Sequence, residues 1–359
     1  MRIAVIGGGI AGLGAAFALR RAAKIIVLER APQVFAHASG KNAAIYRPLE
    51  LPLPITQLAR ANASLLDELV GDRAAWLRAC GLLLVARSPG VLAPLAIAGT
   101  AAGIDHAWLG SEELRRRAPS LAGGEARTAL SVPGAGVIDG HGVAMALVSH
   151  IRAAGGEVRT GVDVERICVS AGRVTGVLCA GGVLAADAVI IAGGAYARAL
   201  GESCGAPLPL EPFIRHLVLL DVVPALPESA PVVWDVEQGV YFRPESAAVL
   251  ASPGDRVPSP PCDPTARPEA LVMLADKLAT LAPLVGRAGV RRSWACLRTF
   301  APDGLPVAGA DHRVRGLFWL AGLGGYGLSA GLGIAEVLAA TVMGDDHALL
   351  GDLSPARFG

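Results

Sequence analysis

The sequence has few charged residues and few aromatic ones. Asp, Glu, Lys and Arg make up 18% of the 359 residues and Phe, Trp and Tyr only 4%, with a net charge of +1. Basic residues form no run longer than the triplet Arg115, Arg116 and Arg117, which follows Glu112 and Glu113. Because nucleic-acid binding needs clustered positive charge, the composition argues against a nucleic-acid partner. We expect this triplet to lie on a solvated helix face.

The cysteines lack the spacing of a metal site or a redox pair. None of the six forms a C-x-x-C motif or combines with histidine at metal-ligand spacing. They therefore predict reduced, mostly buried thiols in a cytoplasmic protein without a bound metal. The six are Cys80, Cys168, Cys179, Cys204, Cys262 and Cys296.

Hydrophobic runs long enough for export or for a membrane span are interrupted. Arg2 precedes an apolar N-terminal stretch, as in a signal peptide. The regularly spaced glycines at 7, 9 and 12 and the pair Arg20 and Arg21 argue against that interpretation. Residues 317–343 are apolar but contain six glycines and Glu336. This pattern predicts a strand, a glycine turn and a buried helix rather than a transmembrane span.

What the sequence does contain is an N-terminal glycine motif. Residues 3–6 predict a strand, and Gly7, Gly9 and Gly12 follow it with G-x-G-x-x-G spacing. The first glycine allows the tight turn, the second lets a pyrophosphate approach the backbone, and the third lets the helix pack on the strand. A helix over about 10–21 would point its N-terminal amides, including those of Ile10 and Ala11, at the phosphates.

A second strand supports this interpretation. Residues 25–28 are apolar and end at Glu29, seventeen positions after Gly12. A carboxylate there can accept hydrogen bonds from the ribose hydroxyls of an adenosine. Strand, helix and acid in register predict a dinucleotide site for FAD or NAD.

The rest of the chain favours FAD, because the regular strand–helix alternation of an NAD dehydrogenase does not continue. Residues 37–48 are an irregular polar loop, and residues 157–164 predict a strand and a turn. Strands over 173–178 and 188–192 lead to a second glycine turn, and a last strand over 316–322 leads to a final helix. Residues 253–268 are the most linker-like stretch, but they are too short to separate autonomous domains.

Five segments in this order resemble the FAD-dependent D-amino-acid oxidase/dehydrogenase superfamily, nearest to its bacterial D-amino-acid dehydrogenase and glycine/sarcosine oxidase branch. They read IAVIGGGIAGLG, SGKNAA, ADAVIIAGGAYA, SWACLRTFAPDGLPVAG and GLFWLAGLGGYGLSAGLG. The resemblance implies a mixed α/β fold with two domains. A Rossmann-like FAD domain would combine residues 1–60, 133–206 and 300–345. A substrate domain with a mostly antiparallel sheet would combine 61–132 and 207–299.

The motifs and the resemblance together give a set of candidate FAD contacts. These are Gly7, Gly9, Ile10, Ala11, Gly12, Glu29, Arg30, Ser39, Lys41, Asn42, Ala43, Ala44, Val164, Ala192, Gly193, Gly194, Arg298, Gly324, Gly325, Tyr326, Gly327 and Leu328. The resemblance favours non-covalent FAD, with a thioether at Cys296 as the alternative. His37 and His216 are each either a flavin contact or a structural histidine.

On the substrate side, the resemblance points to Arg298 as the residue that grips a carboxylate; the alternative is a surface arginine or one paired to Asp303. Tyr241 would touch the same carboxylate or pack under the sheet. Arg215 would contact substrate or have a structural or flavin-edge role. The backbone carbonyls of Gly325 and Tyr326 would reach the amino group.

The residues also bear on the substrate side chain. We take residues 82–85 as a strand beside the pocket, and it contains no carboxylate to receive a cationic side chain. An unpaired buried ammonium is costly, so an apolar or small side chain is favoured. Arg47 and Glu50 are candidates for the entrance of the pocket.

The expected activity is the flavin-dependent oxidation of a free D-amino acid, by hydride transfer from Cα to flavin N5, followed by hydrolysis of the imine to a 2-oxo acid. Oxygen or a quinone-type carrier would be the electron acceptor. Three alternatives stay open. They are oxidation of sarcosine, glycine or a cyclic amino acid, oxidation of a 2-hydroxy acid or glycerol phosphate, and a non-catalytic flavoprotein subunit.

Overall fold

The secondary structure comes from a computed structural model that describes residues 1–222, 224 and 226–359. The strands are β1 Arg2–Ile6, β2 Lys24–Glu29, β3 Ile45–Tyr46, β4 Leu77–Arg78, β5 Leu82–Ala86, β6 Ala107–Leu109, β7 Thr128–Val132, β8 Gly136–Ile138, β9 Glu157–Thr160, β10 Val164–Ser170, β11 Arg173–Cys179, β12 Gly182–Ala185, β13 Ala188–Ile191, β14 Glu211–Asp221, β15 Val232–Asp235, β16 Tyr241–Glu245, β17 Ala248–Ser252, β18 Val257–Pro258, β19 Gly289–Phe300, β20 Val307–Ala310 and β21 Leu317–Ala321.

The helices are α1 Ile10–Leu19, α2 Leu53–Val70, α3 Arg73–Trp76, α4 Pro89–Ala102, α5 Ser111–Arg117, α6 Gly140–Ala153, α7 Ala197–Glu202, α8 Pro268–Leu281, α9 Pro283–Gly286, α10 Gly327–Met343 and α11 Leu350–Leu353. Short 3₁₀ turns lie at Pro119–Leu121, Gly194–Tyr196 and Pro355–Phe358. Among the described residues, no helix combines the length and the apolar character that a bilayer crossing requires.

A six-stranded sheet carries the N-terminal glycine motif. Its order is β20-β21-β13-β1-β2-β9, and every neighbouring pair except β20–β21 is parallel. One face packs against α1, α2, α6 and α10, and the other against the three-stranded antiparallel sheet β10-β11-β12. Because the strands are covered on both faces, they read as continuous apolar runs in the sequence.

A nine-stranded sheet forms the other large layer. Its order is β18-β14-β17-β16-β15-β5-β7-β6, with β19 also paired to β14, and only β15–β5 is parallel. The mixed α/β fold with a mostly antiparallel second sheet is therefore confirmed. The domain boundaries given above stay a prediction.

Most of the strands and helices expected from the sequence are present, with differences at two of their ends. The first helix ends at Leu19 rather than near Arg21, because the chain turns at 20–23 to enter β2. Residues 317–343 form a strand, a turn and a buried helix, as predicted. The predicted turn at the end of 157–164 was too simple, since Val164 begins β10 of the small antiparallel sheet. The arginine triplet lies in α5, where Arg116 and Arg117 pair with Glu113.

Candidate active site

A cavity of about 540 Å³ lies between the ends of the parallel strands and the large antiparallel sheet. This size falls within the range of about 300–1,000 Å³ that is usual for ligand and cofactor sites. The candidate FAD and substrate contacts from the sequence line it, with the exception of Gly12, which lies behind the glycine turn, and of Glu50 and His216, which are described below. Their individual roles stay predictions.

The glycine turn is fixed by close backbone contacts. Gly7 has φ +115°, and a Cβ there would lie 2.4 Å from the carbonyl oxygen of Ala192. A Cβ on Gly12 would lie 1.8 Å from the carbonyl oxygen of Gly7. The first and third glycines are therefore required by the packing of the protein on itself, while Gly9 lines the cavity.

The polar loop after β2 covers the start of α1. The Ile10 N–H donates to Ser39 Oγ at 3.0 Å, and the Asn42 amide donates to the Ser39 carbonyl at 2.6 Å. The Lys41 ammonium donates to Asp263 at 2.8 Å. The Ser39 hydroxyl thus accepts from a main-chain donor at the start of the helix, and Lys41 connects the loop to the opposite wall.

Glu29 ends β2 at the cavity and is only 6% exposed. Its Oε2 accepts from the Gly8 N–H at 2.6 Å, and its Oε1 accepts from the Ala31 N–H at 2.8 Å. Two backbone donors hold the carboxylate in place at the carboxyl end of the strand. Its expected contact with a ribose stays a prediction.

Residues 253–268, which are linker-like in composition, contribute to the site. Cys262, Asp263 and Pro264 line the cavity, and Asp255 is buried against β14. The segment is fixed by tertiary contacts with the polar loop and the large sheet. Its proline-rich composition gave no indication of these contacts.

The part of the cavity where the sequence predicts substrate contacts, around Arg298 and Tyr241, is called the substrate end below. The long strands β14 and β19 form one of its walls. Arg215 is paired with Cys296 and Phe213 with Arg298. Residues paired across antiparallel strands share a face, so the register places Arg298, Cys296 and Arg215 toward the cavity that they line. Arg215 donates from Nε to the Asp255 carbonyl at 2.6 Å.

Arg298 is the least satisfied cation of this wall. Its Nε is buried without a hydrogen-bond partner, and its Nη1 reaches only the Gly324 carbonyl at 3.5 Å. Asp303, the alternative partner from the sequence, pairs with Arg357 instead, and no carboxylate of the described residues pairs with Arg298. Burial acts to lower the pKa of Arg298, but Cys296 and Tyr241 act to raise it and the net shift is upward. The guanidinium therefore remains charged.

An aromatic stack forms a second wall and was largely missed by sequence reasoning. Tyr241 and Trp234 stack with ring centroids 4.2 Å apart and an interplanar angle of 13°. The guanidinium of Arg47 lies 3.7 Å from the centroid of Trp234. No motif marks Trp234, because its place depends on the pairing of β15 with β16. Arg47 lines the cavity, whereas Glu50 lies behind it.

The structure corrects the expected position of residues 82–85 and gives different positions to the two candidate histidines. Residues 82–85 were expected beside the pocket, but β5 is central in the large sheet and its side chains fill the core on both faces. The two histidines differ. His37 lines the cavity, whereas His216 is buried away from it, with Nδ1 2.7 Å from Asp255 Oδ2 and Nε2 accepting from the Arg267 N–H at 3.1 Å.

Residues 2–341 match a protein family described as "FAD dependent oxidoreductase". The chain belongs to this family. Its matches among curated proteins include a 4-methylaminobutanoate oxidase (formaldehyde-forming) of Paenarthrobacter nicotinovorans, 28% identical over 96% of this chain and 44% of that protein. A D-amino acid dehydrogenase of Cereibacter sphaeroides is 35% identical over 52% of this chain and 42% of that protein. The chain thus spans about half the length of these curated relatives.

Solved structures of similar size show the same fold. An L-proline dehydrogenase from P. horikoshii superposes with a TM-score of 0.91 at 19% identity, covering 99% of this chain and 97% of that one. A glycine oxidase from Geobacillus kaustophilus gives a TM-score of 0.82 at 25% identity, covering 99% of both chains. The expected family and its FAD cofactor are confirmed.

The residues of this FAD-dependent oxidoreductase fit the cofactor. Gly9, Ile10 and Ala11 present the start of α1 to the cavity, the position that favours a pyrophosphate. Glu29 lies at the end of the neighbouring strand, and Ala192, Gly193 and Gly194 bring a second main-chain turn to the same space. These groups would hold the nucleotide. Cys296 is buried and lines the cavity, so covalent attachment stays the alternative to non-covalent binding.

Proposed function

We propose that the protein oxidises a free amino acid, a D-amino acid with a small or apolar side chain, at its amine-bearing carbon. Bound FAD would supply the hydride acceptor for this chemistry. The proposal depends above all on Arg298, a half-buried arginine whose Nε is buried without a hydrogen-bond partner and which has no carboxylate partner in the described protein.

Arg298 would bind the substrate carboxylate. A buried cation is stable only when it is paired and hydrogen-bonded, and Nε of Arg298 has no partner. A carboxylate can accept two parallel hydrogen bonds from a guanidinium, which fixes its orientation as well as its position. An amino acid held this way would have a defined direction for its Cα.

The neighbouring groups would complete the position of the substrate. The hydroxyl of Tyr241 would be a second donor to the carboxylate, and stacking on Trp234 would fix the position of its ring. The carbonyl of Tyr326 accepts from the Ala330 N–H at 2.8 Å, which leaves the carbonyl of Gly325 as the better candidate to accept from the substrate amine. The substrate ammonium would first release one proton to solvent, and the hydride would then leave from Cα of the neutral amine. No general base is assigned to this step.

The substrate end of the cavity disfavours a cationic side chain. The side chains placed at this end are those of Arg47, Arg215, Trp234, Tyr241, Cys296, Arg298 and Tyr326, and none of them is a carboxylate. A substrate ammonium there would be buried without a partner, which costs free energy. The lack of a carboxylate at this end, and not in residues 82–85, is therefore the reason to favour a small or apolar substrate side chain.

A second candidate is oxidation of a secondary amine such as sarcosine or a cyclic amino acid. The relative that matches along 96% of the chain is named a 4-methylaminobutanoate oxidase, and the structure with a TM-score of 0.91 is named an L-proline dehydrogenase. The carboxylate site at Arg298 serves both candidates. The two candidate activities differ only in the space that the substrate needs around its amine.

An anaerobic absorbance measurement tests the proposal. The FAD-loaded protein is mixed with D- and L-alanine, D- and L-valine, glycine, sarcosine, D- and L-proline, and the matching 2-hydroxy acids. We expect D-alanine or D-valine to remove the oxidised-flavin band faster than any other compound. Faster reaction with sarcosine or proline would establish the second candidate, and reaction with the hydroxy acids alone would contradict both. Adding air or a soluble quinone afterwards identifies the electron acceptor.

A further inference from the structure

Arg47 is a second guanidinium at the substrate end, and it contacts an aromatic ring and a residue of α10. Its guanidinium lies 3.7 Å from the ring centroid of Trp234, and that ring stacks on Tyr241. Its main-chain N–H donates to Ser329 Oγ at 3.0 Å. Arg47 and Arg298 therefore line the same cavity, one at the aromatic stack and the other on β19.

Glu50 lies against Arg47 on the side away from the cavity. Its carboxylate forms an ion pair with Nη2 of Arg47, and the two side chains are 18% and 11% exposed. The Glu50 N–H donates to Thr56 Oγ1 at 2.9 Å, and Thr56 is fully buried in α2. The main chain of Glu50 is thus fixed against α2, beside Arg47.

Glu50 depends on Arg47 as its counter-charge. Burial raises the pKa of the Glu50 carboxyl, and the charge of Arg47 opposes that rise. Burial raises the pKa of Tyr326, with the charge of Glu50 as a further cause, which places Glu50 close to this cavity residue. A ligand that took Arg47 away would leave Glu50 buried without a counter-charge, and breaking a buried pair in this way is costly.

We propose that Glu50 is a specificity-determining residue: it occupies Arg47 and so makes the site select amino acids with a single carboxylate over those with a second, distal carboxylate. This inference rests on the proposed function, because it takes Arg298 as the site of the first carboxylate. Glu50 acts in place of the distal carboxylate that it excludes. Discrimination arises from the cost imposed on the wrong ligand rather than from contacts with the right one.

A binding experiment with two matched acids tests the proposal without turnover. Pentanoate and glutarate have the same number of carbons, differ by one carboxylate and have no amine to oxidise. Each is titrated into the FAD-loaded protein, and Kd is taken from the perturbation of the flavin spectrum. We expect wild type to prefer pentanoate, and Glu50→Gln to raise the glutarate-to-pentanoate affinity ratio at least about tenfold.

Two further variants make the result specific. Adding Arg47→Met to Glu50→Gln should bring the ratio back to within about threefold of wild type, because the freed guanidinium is then gone. Glu68→Gln is the matched control, since Glu68 also pairs with an arginine, Arg20, but its side chain is 63% exposed; it should leave the ratio unchanged.

The outcomes separate this inference from the proposed function. If wild type binds pentanoate and Glu50→Gln does not change the ratio, the role of Glu50 is wrong while the carboxylate site stands. The same holds if the gain persists in the double variant. If wild type binds neither acid, the carboxylate site at Arg298 is wrong, and both proposals are overturned.

Discussion

The two ends of the cavity are built from different materials. At the glycine-motif end, main-chain groups of Gly9, Ile10 and Gly193 face the cavity, at turns that directly follow parallel strands. At the substrate end, the walls are side chains, above all Arg47, Trp234, Tyr241 and Arg298. The first end is determined by local backbone geometry, whereas the second depends on contacts between residues far apart in the chain.

This difference explains how each end can change. A backbone cradle tolerates almost no added atoms, because the chain packs on itself there. A side-chain wall can be altered one group at a time while the sheet remains intact. We therefore expect substitutions at the first end to affect cofactor content, and those at the second to affect substrate use.

The largest effect is expected from Gly12→Ala. Its Cβ would lie 1.8 Å from the Gly7 carbonyl oxygen, so the turn must open. Purified protein should contain less than about a tenth of the wild-type FAD, measured by the ratio of flavin to protein absorbance. Gly90→Ala is the control, because a Cβ at Gly90 meets nothing within 4 Å. Full FAD content in Gly12→Ala would contradict the backbone account of this end.

The next largest effect is expected from Arg298→Met. This variant removes the guanidinium that is proposed to bind the substrate carboxylate, so kcat/KM for the best amino acid should fall by about 10²–10³-fold, or roughly 3–4 kcal/mol. Its FAD content should be much less affected than that of Gly12→Ala. Arg298→Lys should recover only part of the loss, since an ammonium lacks the planar fork. Arg291→Met, on the same strand but at an exposed ion pair with Asp221, is the control. An equal loss of kcat/KM in Arg298→Met and Arg291→Met would contradict the specific role of Arg298.

A smaller effect, on stability, is expected from Asp255→Asn. Burial acts to raise the pKa of the Asp255 carboxyl, but the hydrogen bonds from His216 outweigh it, so the folded pKa lies below the ordinary value. The stabilisation should therefore be fully present above an unfolded pKa of about 3.9 and be lost as pH falls through the lower folded value.

The measurement for Asp255→Asn is urea unfolding between pH 7 and pH 4. We expect a deficit of about 1–3 kcal/mol in the free energy of unfolding, constant over this range. Asp263→Asn, whose carboxylate is largely exposed, should show little deficit. A deficit that disappears between pH 7 and pH 5 would contradict the direction of the pKa shift.

The smallest effect is expected from Tyr241→Phe. The ring and its stack on Trp234 are kept while the hydroxyl is lost, which should lower kcat/KM by about tenfold. Tyr196→Phe is a matched control, since the Tyr196 ring also lines the cavity but lies against the guanidinium of Arg30 instead of in the stack on Trp234. No change in Tyr241→Phe would leave Tyr241 a packing residue, the alternative considered from the sequence.

The contrast between the two ends also sets what could be predicted from the sequence. Gly7, Gly9 and Glu29 were predictable because strand, turn and acid are adjacent in the chain and each residue type has a local reason. Trp234 and the segment around Asp263 were not, because only the pairing of distant strands brings them to the cavity. Residues 82–85 were misplaced for the same reason: an apolar strand does not show which layer it faces.

The most direct test of the account compares an amino acid with its decarboxylated amine in wild type and in Arg298→Met. Anaerobic flavin reduction is measured for the best amino acid and for the amine that lacks only the carboxylate. We predict that wild type prefers the amino acid by at least about 10²-fold and that Arg298→Met reacts with the two at similar rates. A preference that survives unchanged in Arg298→Met would show that the carboxylate binds elsewhere and would contradict the account.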